Sequence, residues 1–341
     1  MRRYGKHTDE DDIRVRPSRR GTRPRTHTRP KHEDAAEGRV LTVDRGRLTV
    51  LVEGRTITAM KARELGRKGV VVGDIVAVVG DLSGAKDTLA RVVRVEERAS
   101  VLRRTADDND PYERIIVANA DQLAIVTALA DPEPRPRLID RCLVAAFDAG
   151  LEPLLVLTKA DLAPAQPLLD TYAPLGLRYA VTDRDRLAAD GPPEELRAML
   201  RGLTTVFVGH SGVGKTTLVN SLVPERQRAT GDVNAVTGRG RHTTTAALAL
   251  PLPDEDDGEA GDGWVIDTPG VRSFGLNHIQ LSRVIQAFPD LEPGTAECPR
   301  ACGHNEPGCA LDAWVAEGHA DPARLHSLRR LLETRERREG D

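Results

Sequence analysis

Val206 to Leu218 reads VFVGHSGVGKTTL, and this stretch decides the fold. An apolar run, Thr205-Val206-Phe207-Val208, enters a glycine-rich turn, and a helical pattern opens from Thr216. Gly209, Gly214, Lys215 and Thr216 match G-x-x-x-x-G-K-[ST]. Glycines let backbone N–H groups curl around phosphate oxygens, and a helix N-terminus adds its positive dipole end. The turn His210-Ser211-Gly212-Val213 and the pair Thr216-Thr217 complete the expected phosphate cradle. In such a loop Lys215 reaches the β- and γ-phosphates, and the Thr216 hydroxyl sits on Mg²⁺.

Working outward, two more polar motifs follow apolar strands. Leu154-Leu155-Val156-Leu157 runs into Thr158-Lys159-Ala160-Asp161, and Trp264-Val265-Ile266 runs into Asp267-Thr268-Pro269-Gly270. Between and around them strands alternate with helices: strands at Gln122–Ala128 and Arg178–Val181, helices over 137–149, 165–172 and 193–200. This α/β pattern predicts a mostly parallel sheet, with all three motifs on the edge formed by the strands' carboxyl ends, where ligands bind. T-K-A-D is similar to the guanine-recognition N-K-x-D motif: its aspartate can accept from guanine N1–H and the 2-amino group together, a pair adenine lacks. Thr158 replaces the usual Asn, which weakens the expected tie to the phosphate loop. Asp267 to Gly270 matches D-x-x-G, with Asp267 holding Mg²⁺ through water and the Gly270 N–H facing the γ-phosphate.

Base recognition here precedes the phosphate loop, the reverse of ordinary GTPases. A sheet fixes edge positions in space and leaves connection order open, so the expected domain (residues 114–276) is a circularly permuted P-loop GTPase. Upstream, five short β-rich runs between residues 39 and 95, separated by turns such as Glu53-Gly54 and Gly73-Asp74, predict a small OB-fold barrel over 37–99. It lacks stacking aromatics, so RNA contact there would rest on Arg55, Lys61, Arg63, Arg67 and Lys68. Residues 1–36 are rich in Arg, Pro and Thr, and read as a disordered basic arm. Residues 100–113 read as a polar linker, and Pro253–Gly263 as a solvated acidic loop.

Downstream, ECPRACGHNEPGC places Cys298, Cys302, His304 and Cys309 within twelve residues. This C-x₃-C-x-H-x₄-C spacing fits a closed, tetrahedral and therefore structural Zn²⁺ site in a small helical domain over 277–341. Helices are expected over 279–288, 311–317 and 322–339. The last carries Arg324, Arg329, Arg330, Arg335, Arg337 and Arg338 on what reads as an exposed face facing rRNA or solvent. Cys142, on a helix face, reads as core.

Taken together, the barrel, the motif order, GHSGVGKTTLVN, GRGRHTTT, DTPGVRSFGL and the Cys/His cluster resemble the RsgA (YjeQ-type) family of ribosome-biogenesis GTPases. The resemblance covers residues about 38 to 336. It implies GTP hydrolysis stimulated by the small ribosomal subunit during late maturation, with rRNA as a binding partner. It also favours the Thr243-Thr244 pair, in a glycine-rich switch over 229–245, for completing the Mg²⁺ shell. Val271 stands where many GTPases carry a water-orienting glutamine. Slow intrinsic hydrolysis is therefore expected, with His242 the candidate for positioning water once a partner orders the switch; Lys215 and Thr244 complete the catalytic set. Gly212 occupies the position at which potassium-activated GTPases carry Asn, so no potassium requirement is expected.

The chain has 341 residues, net charge −3 and only 3 % aromatics, so its cores must be aliphatic and no global attraction to nucleic acid operates. No apolar run reaches the roughly 18 residues of a transmembrane helix, and no signal-peptide core opens the chain. A cytoplasmic monomer binding GTP and GDP, without membrane association, is the expectation. Two other readings share the pocket: an RNA-binding checkpoint in which hydrolysis is only a release timer, and an unrelated P-loop ATPase, which Asp161 opposes.

Overall fold

The computed structural model describes residues 32–65, 69–104, 114–224, 247–253, 260–269, 276 and 279–336. The basic arm up to residue 31, Arg67, Lys68, the switch with His242, Thr243 and Thr244, Gly270, Val271, Arg337 and Arg338 lie outside them.

Thirteen strands are present among the described residues, β1 to β13. The first five, Ala36–Asp44, Arg47–Val52, Arg55–Lys61, Ile75–Val79 and Ala90–Val95, form a barrel in the order β1-β2-β3-β5-β4. Antiparallel pairing of β1 with β4 closes it, and β3 runs parallel to β5. Alternating side chains of Val40, Leu48, Val50, Val52, Ile57, Val76, Val78 and Val92 fill the interior, which is how period-two patterning specifies a barrel core. Arg55, Lys61 and Arg63 lie on its exposed outside.

The second part is a sheet ordered β10-β9-β8-β11-β13-β12. Its strands are Gln122–Ala128 (β8), Glu152–Thr158 (β9), Arg178–Val181 (β10), Thr204–Gly209 (β11), Leu248–Pro253 (β12) and Ala260–Asp267 (β13). All neighbours are parallel except β12, which is antiparallel to β13 and bridges to the barrel at Leu248 and Thr42. Buried on both faces, β8 and β11 read as continuous apolar runs. Five helices accompany the sheet: α1 (Pro136–Asp148), α2 (Gln166–Tyr172), α3 (Arg184–Ala189), α4 (Glu194–Leu200) and α5 (Lys215–Leu222). Proline at the first position of α1 supplies the fixed φ a helix start wants.

Two expectations are corrected here. Val101–Arg104 (β6) is not linker but a strand paired with Arg114–Ala118 (β7); its short V-L-R-R run gave no strand signal. The acidic loop is shorter than the sequence suggested, because β13 begins at Ala260; Asp262 there accepts a hydrogen bond from the Gly202 N–H at 3.1 Å.

Of the C-terminal helices, Leu281–Gln286 and Pro322–Glu336 pack on α1, and Ala310–Ala316 packs on Pro322–Glu336. One continuous core joins them to the sheet: Leu143, Ala146 and Leu155 share it with Phe288, Leu291, Leu311, Leu325, Leu328 and Leu331. Three of the arginines on the last helix, Arg324, Arg329 and Arg330, are therefore engaged by the fold. Arg324 binds Asp290 and the Pro174 carbonyl, Arg329 binds Asp312, and Arg330 reaches Asp140 and the Thr171 carbonyl. Alternating polar and apolar residues on that helix had hidden which arginines point inward.

Candidate functional site

The sheet brings the three motifs to one edge. Gly209 ends β11 opposite Val126 of β8, Thr158 ends β9 opposite Ala128 of β8, and Asp267 ends β13 opposite Phe207 of β11. The three strand ends thus lie within two residues of a common level, about 7 Å at the usual strand rise.

The phosphate-loop glycine Gly209 is dictated by close approach: a Cβ there would stand 2.6 Å from the Val126 carbonyl oxygen. The loop delivers Lys215 to the first position of α5, where it is buried. Its ammonium pairs with the Asp267 carboxylate and donates to the Thr268 carbonyl at 2.5 Å. Thr268 is itself fixed by its hydroxyl, which donates to the Phe207 carbonyl at 2.8 Å. The G-K-T and D-x-x-G motifs are therefore in direct contact, a buried cation against a buried carboxylate. Burying either charge alone is costly, and each of the two side chains has the other as its partner beside the loop.

Thr158 also meets the phosphate loop. Its hydroxyl donates to the Val213 carbonyl at 2.5 Å and lies 3.3 Å from the Thr127 carbonyl. The tie expected to weaken with Thr in place of Asn is present, because the hydroxyl reaches the loop carbonyl directly. Lys159 adopts a left-handed backbone (φ 58°), and its ammonium donates to the Asp131 carbonyl. Asp161 presents an exposed carboxylate at the same edge. His210 is half-buried with Nδ1 2.9 Å from the Ser211 carbonyl, which calls for the Nδ1–H tautomer.

Sequence reasoning left out two neighbours of this edge. The segment after β8, Asp131 to Arg135, supplies the Lys159 partner, and Pro132, Arg135 and Leu138 line a cleft with Gly209, His210 and Val213. The turn after β10 supplies the Thr182 carbonyl, which accepts from the Ala160 N–H at 3.2 Å, and Asp183, whose carboxylate caps α3 through the Arg186 N–H at 2.8 Å. Both follow strands of the same parallel sheet, so their edge position was the available signal.

A second site lies in the C-terminal domain. Ligand atoms of Cys298, Cys302, His304 and Cys309 all fall within 4.8 Å of one another. Cys298 Sγ is 3.6 Å from His304 Nδ1 and 3.8 Å from Cys309 Sγ, and Cys309 Sγ is 3.8 Å from His304 Nδ1. A tetrahedron with metal–sulfur bonds of about 2.3 Å and metal–nitrogen bonds of about 2.0 Å has edges of roughly 3.5–3.8 Å. The four residues therefore fit a bound metal ion. Burial lowers the His304 imidazole below its usual range, which favours the neutral form a metal requires. His304 has a left-handed backbone (φ 64°), as has Ala301 (φ 62°), and these turns fold the short loop back on itself. Arg329 holds it in place, donating to the His304 carbonyl at 3.0 Å.

Comparison with known proteins agrees with this geometry. Residues 95–277 match the RsgA GTPase family model. A Chlorobaculum parvum protein named small ribosomal subunit biogenesis GTPase RsgA is 36% identical over 293 residues, covering 83% of this chain and 91% of its own. A protein of the same name from Chromohalobacter salexigens is 39% identical over 275 residues, covering 78% and 75%. The crystal structure of YjeQ from Thermotoga maritima superposes with a TM-score of 0.62 at 26% identity, covering 89% of this chain and 99% of that one. YloQ, described as a circularly permuted GTPase, shares the fold with a TM-score of 0.59 at 23% identity, over 90% of this chain and 96% of its own. With its motifs in permuted order on a shared sheet edge, the chain belongs to the RsgA GTPase family and is a GTP hydrolase.

Proposed function

We propose that this GTPase acts on the small ribosomal subunit late in its assembly, binding rRNA and hydrolysing GTP when the subunit stimulates it. The observation that carries the reading is near-full-length similarity to the Chlorobaculum parvum protein, whose name states small ribosomal subunit biogenesis. The organisation proposed is a barrel over 37–99, a GTPase domain over 114–276 and a metal-binding domain from 277.

In this reading the loop 209–217 holds the phosphates, Thr158 fixes the loop, Lys159 packs along the base and Asp161 reads guanine. Mg²⁺ supplies charge neutralisation at the phosphates. The buried Asp267 carboxylate at the end of β13, beside the start of α5, suits it, with Thr216 and Thr243 or Thr244 completing its shell. Lys215, held beside Asp267, neutralises developing phosphate charge. His242 orients the attacking water, with Val271 unable to do so. The Cys/His cluster holds one structural Zn²⁺. A monomer working in the cytoplasm with GTP, GDP and rRNA meets these requirements.

The test is GTP turnover titrated with purified small subunits at several salt concentrations. Stimulation of tenfold or more, falling steeply with salt as phosphate-mediated docking requires, is expected, and His242→Ala should remove most of it. Turnover indifferent to the subunit would overturn the proposed role and favour an RNA-binding checkpoint, provided binding persisted.

A further inference from the structure

Two consecutive arginines of the last helix grip different parts of the molecule. Arg329 donates two parallel hydrogen bonds to Asp312, at 2.7 and 2.9 Å, and one to the His304 carbonyl at 3.0 Å. Asp312 lies in the first turn of the helix Ala310–Ala316, and Cys309 caps that helix. One guanidinium therefore fixes the segments that carry two of the four metal ligands.

Arg330, about 100° further round the helix, faces the nucleotide domain. Its guanidinium is 3.3 Å from the Asp140 carboxylate, donates to the Thr171 carbonyl at 3.3 Å and stacks 4.9 Å over the Tyr172 ring. Asp140 is on α1, directly after Leu138 and Ile139, which line the cleft against Gly209, His210 and Val213 of the phosphate loop. Two further charges of α1 are buried against the C-terminal domain. Arg141 donates to the Thr334 carbonyl at 3.2 Å, and the Asp148 carboxylate accepts from the Gln280 N–H at 2.9 Å.

The pair joins a buried carboxylate to a half-buried guanidinium, and it leaves polar atoms unmatched. Asp140 Oδ1, Arg330 Nε and Arg330 Nη2 have no hydrogen-bond partner. A half-buried ion pair in that state adds little stability over apolar packing, but it fixes one relative position of two helices. We infer that the metal centre and the nucleotide site are linked through Arg329 and Arg330, so that metal bound at the Cys/His cluster raises the affinity for guanine nucleotide. The inference rests on the metal and nucleotide assignments proposed above. Metal orders the ligand loop, the loop sets Arg329 and the last helix, and Arg330 then holds α1 against the phosphate loop.

The test measures binding of a fluorescent GDP derivative to full-length protein, loaded with zinc or stripped by chelator, and zinc affinity by chelator competition with and without GDP. Coupling of this kind is typically fivefold or more, and thermodynamics requires the same factor in both directions. Arg329→Gln should weaken zinc binding about 10- to 100-fold, as loss of groups supporting metal ligands does. Arg330→Gln and Asp140→Asn should keep both ligands while the coupling factor falls to about one. Arg324→Gln, which loosens the same helix away from the ligand loop and α1, should retain it. If stripped protein unfolds, the zinc measurement with and without GDP carries the test alone, since it starts from folded protein. Equal affinities in all states, or coupling undiminished in both the Arg330 and Asp140 variants, would overturn the linkage. Failure to bind zinc or GDP at all would instead overturn the assignments beneath it.

Discussion

At the scale of single residues, Thr158 shows how one hydroxyl organises a site. It donates to the Val213 carbonyl in the phosphate loop while sitting at the start of the base-recognition motif. Thr158→Val keeps the shape but leaves that buried carbonyl without its donor, a loss of about 1–3 kcal/mol. Expressed at the binding site, that loss lowers GDP affinity at least about fivefold, and Thr158→Asn should restore it, both read by fluorescent nucleotide titration. Cys142 makes the opposite point. It is 1% exposed, and burial pushes its thiol up to about 12. Thiolate is the reactive form, so at pH 8 Cys142 should stay unmodified in native protein. A thiol reagent should reach Cys298, Cys302 and Cys309 after chelation, and Cys142 only on denaturation. Labelling of Cys142 in the folded state would contradict its burial.

At the scale of elements, the junction between barrel and nucleotide domain turns on Gly73 and Asp74. Gly73 has φ 88°, and a Cβ there would overlap the Ala118 carbonyl oxygen. Its own carbonyl accepts from the Asn119 side chain at 3.0 Å. Next to it the fully buried Asp74 carboxylate takes two hydrogen bonds from Arg98, at 2.6 and 2.8 Å. Gly73→Ala combines strain at positive φ with a backbone clash, so a loss of about 3 kcal/mol or more is expected in denaturant unfolding. The sequence announced a turn here, because Gly-Asp follows a valine run, but not that the turn is an interdomain joint. That difference is general in this chain. Strands such as Ile75–Val79, Gln122–Ala128 and Arg178–Val181 were legible to the residue, since local composition sets them. The three nucleotide motifs and the Cys/His cluster were legible because their chemistry needs fixed spacings. Strand Val101–Arg104 was not, since its pairing partner lies beyond an intervening polar stretch. Nor were the roles of Arg324, Arg329 and Arg330, whose partners are 17 to 190 residues away in sequence.

At the scale of the whole molecule, the cores explain which parts stand together. The barrel has its own core around Val40, Val50 and Val76, and one face of the nucleotide sheet is closed by Leu196, Leu200 and Leu218. The other face has no separate core: α1 and the C-terminal helices share one. Leu325, Leu328, Leu331 and Leu332 are each no more than 5% exposed within it. Burying four leucines is worth roughly 6–12 kcal/mol, comparable with the entire stability of many domains. The last helix is thus part of the GTPase fold, not an appendage. Leu328→Ala should cost about 2–5 kcal/mol, and the loss should appear in the same thermal transition that releases bound nucleotide. A variant whose C-terminal region melted separately, with the nucleotide-bound transition unmoved, would show that the shared core does not couple the two. The barrel predicts the reverse. Leu48→Ala in its separate core should lower the barrel's own stability while GDP affinity stays within about twofold of wild type, since none of the groups that meet at the phosphate loop belongs to that core.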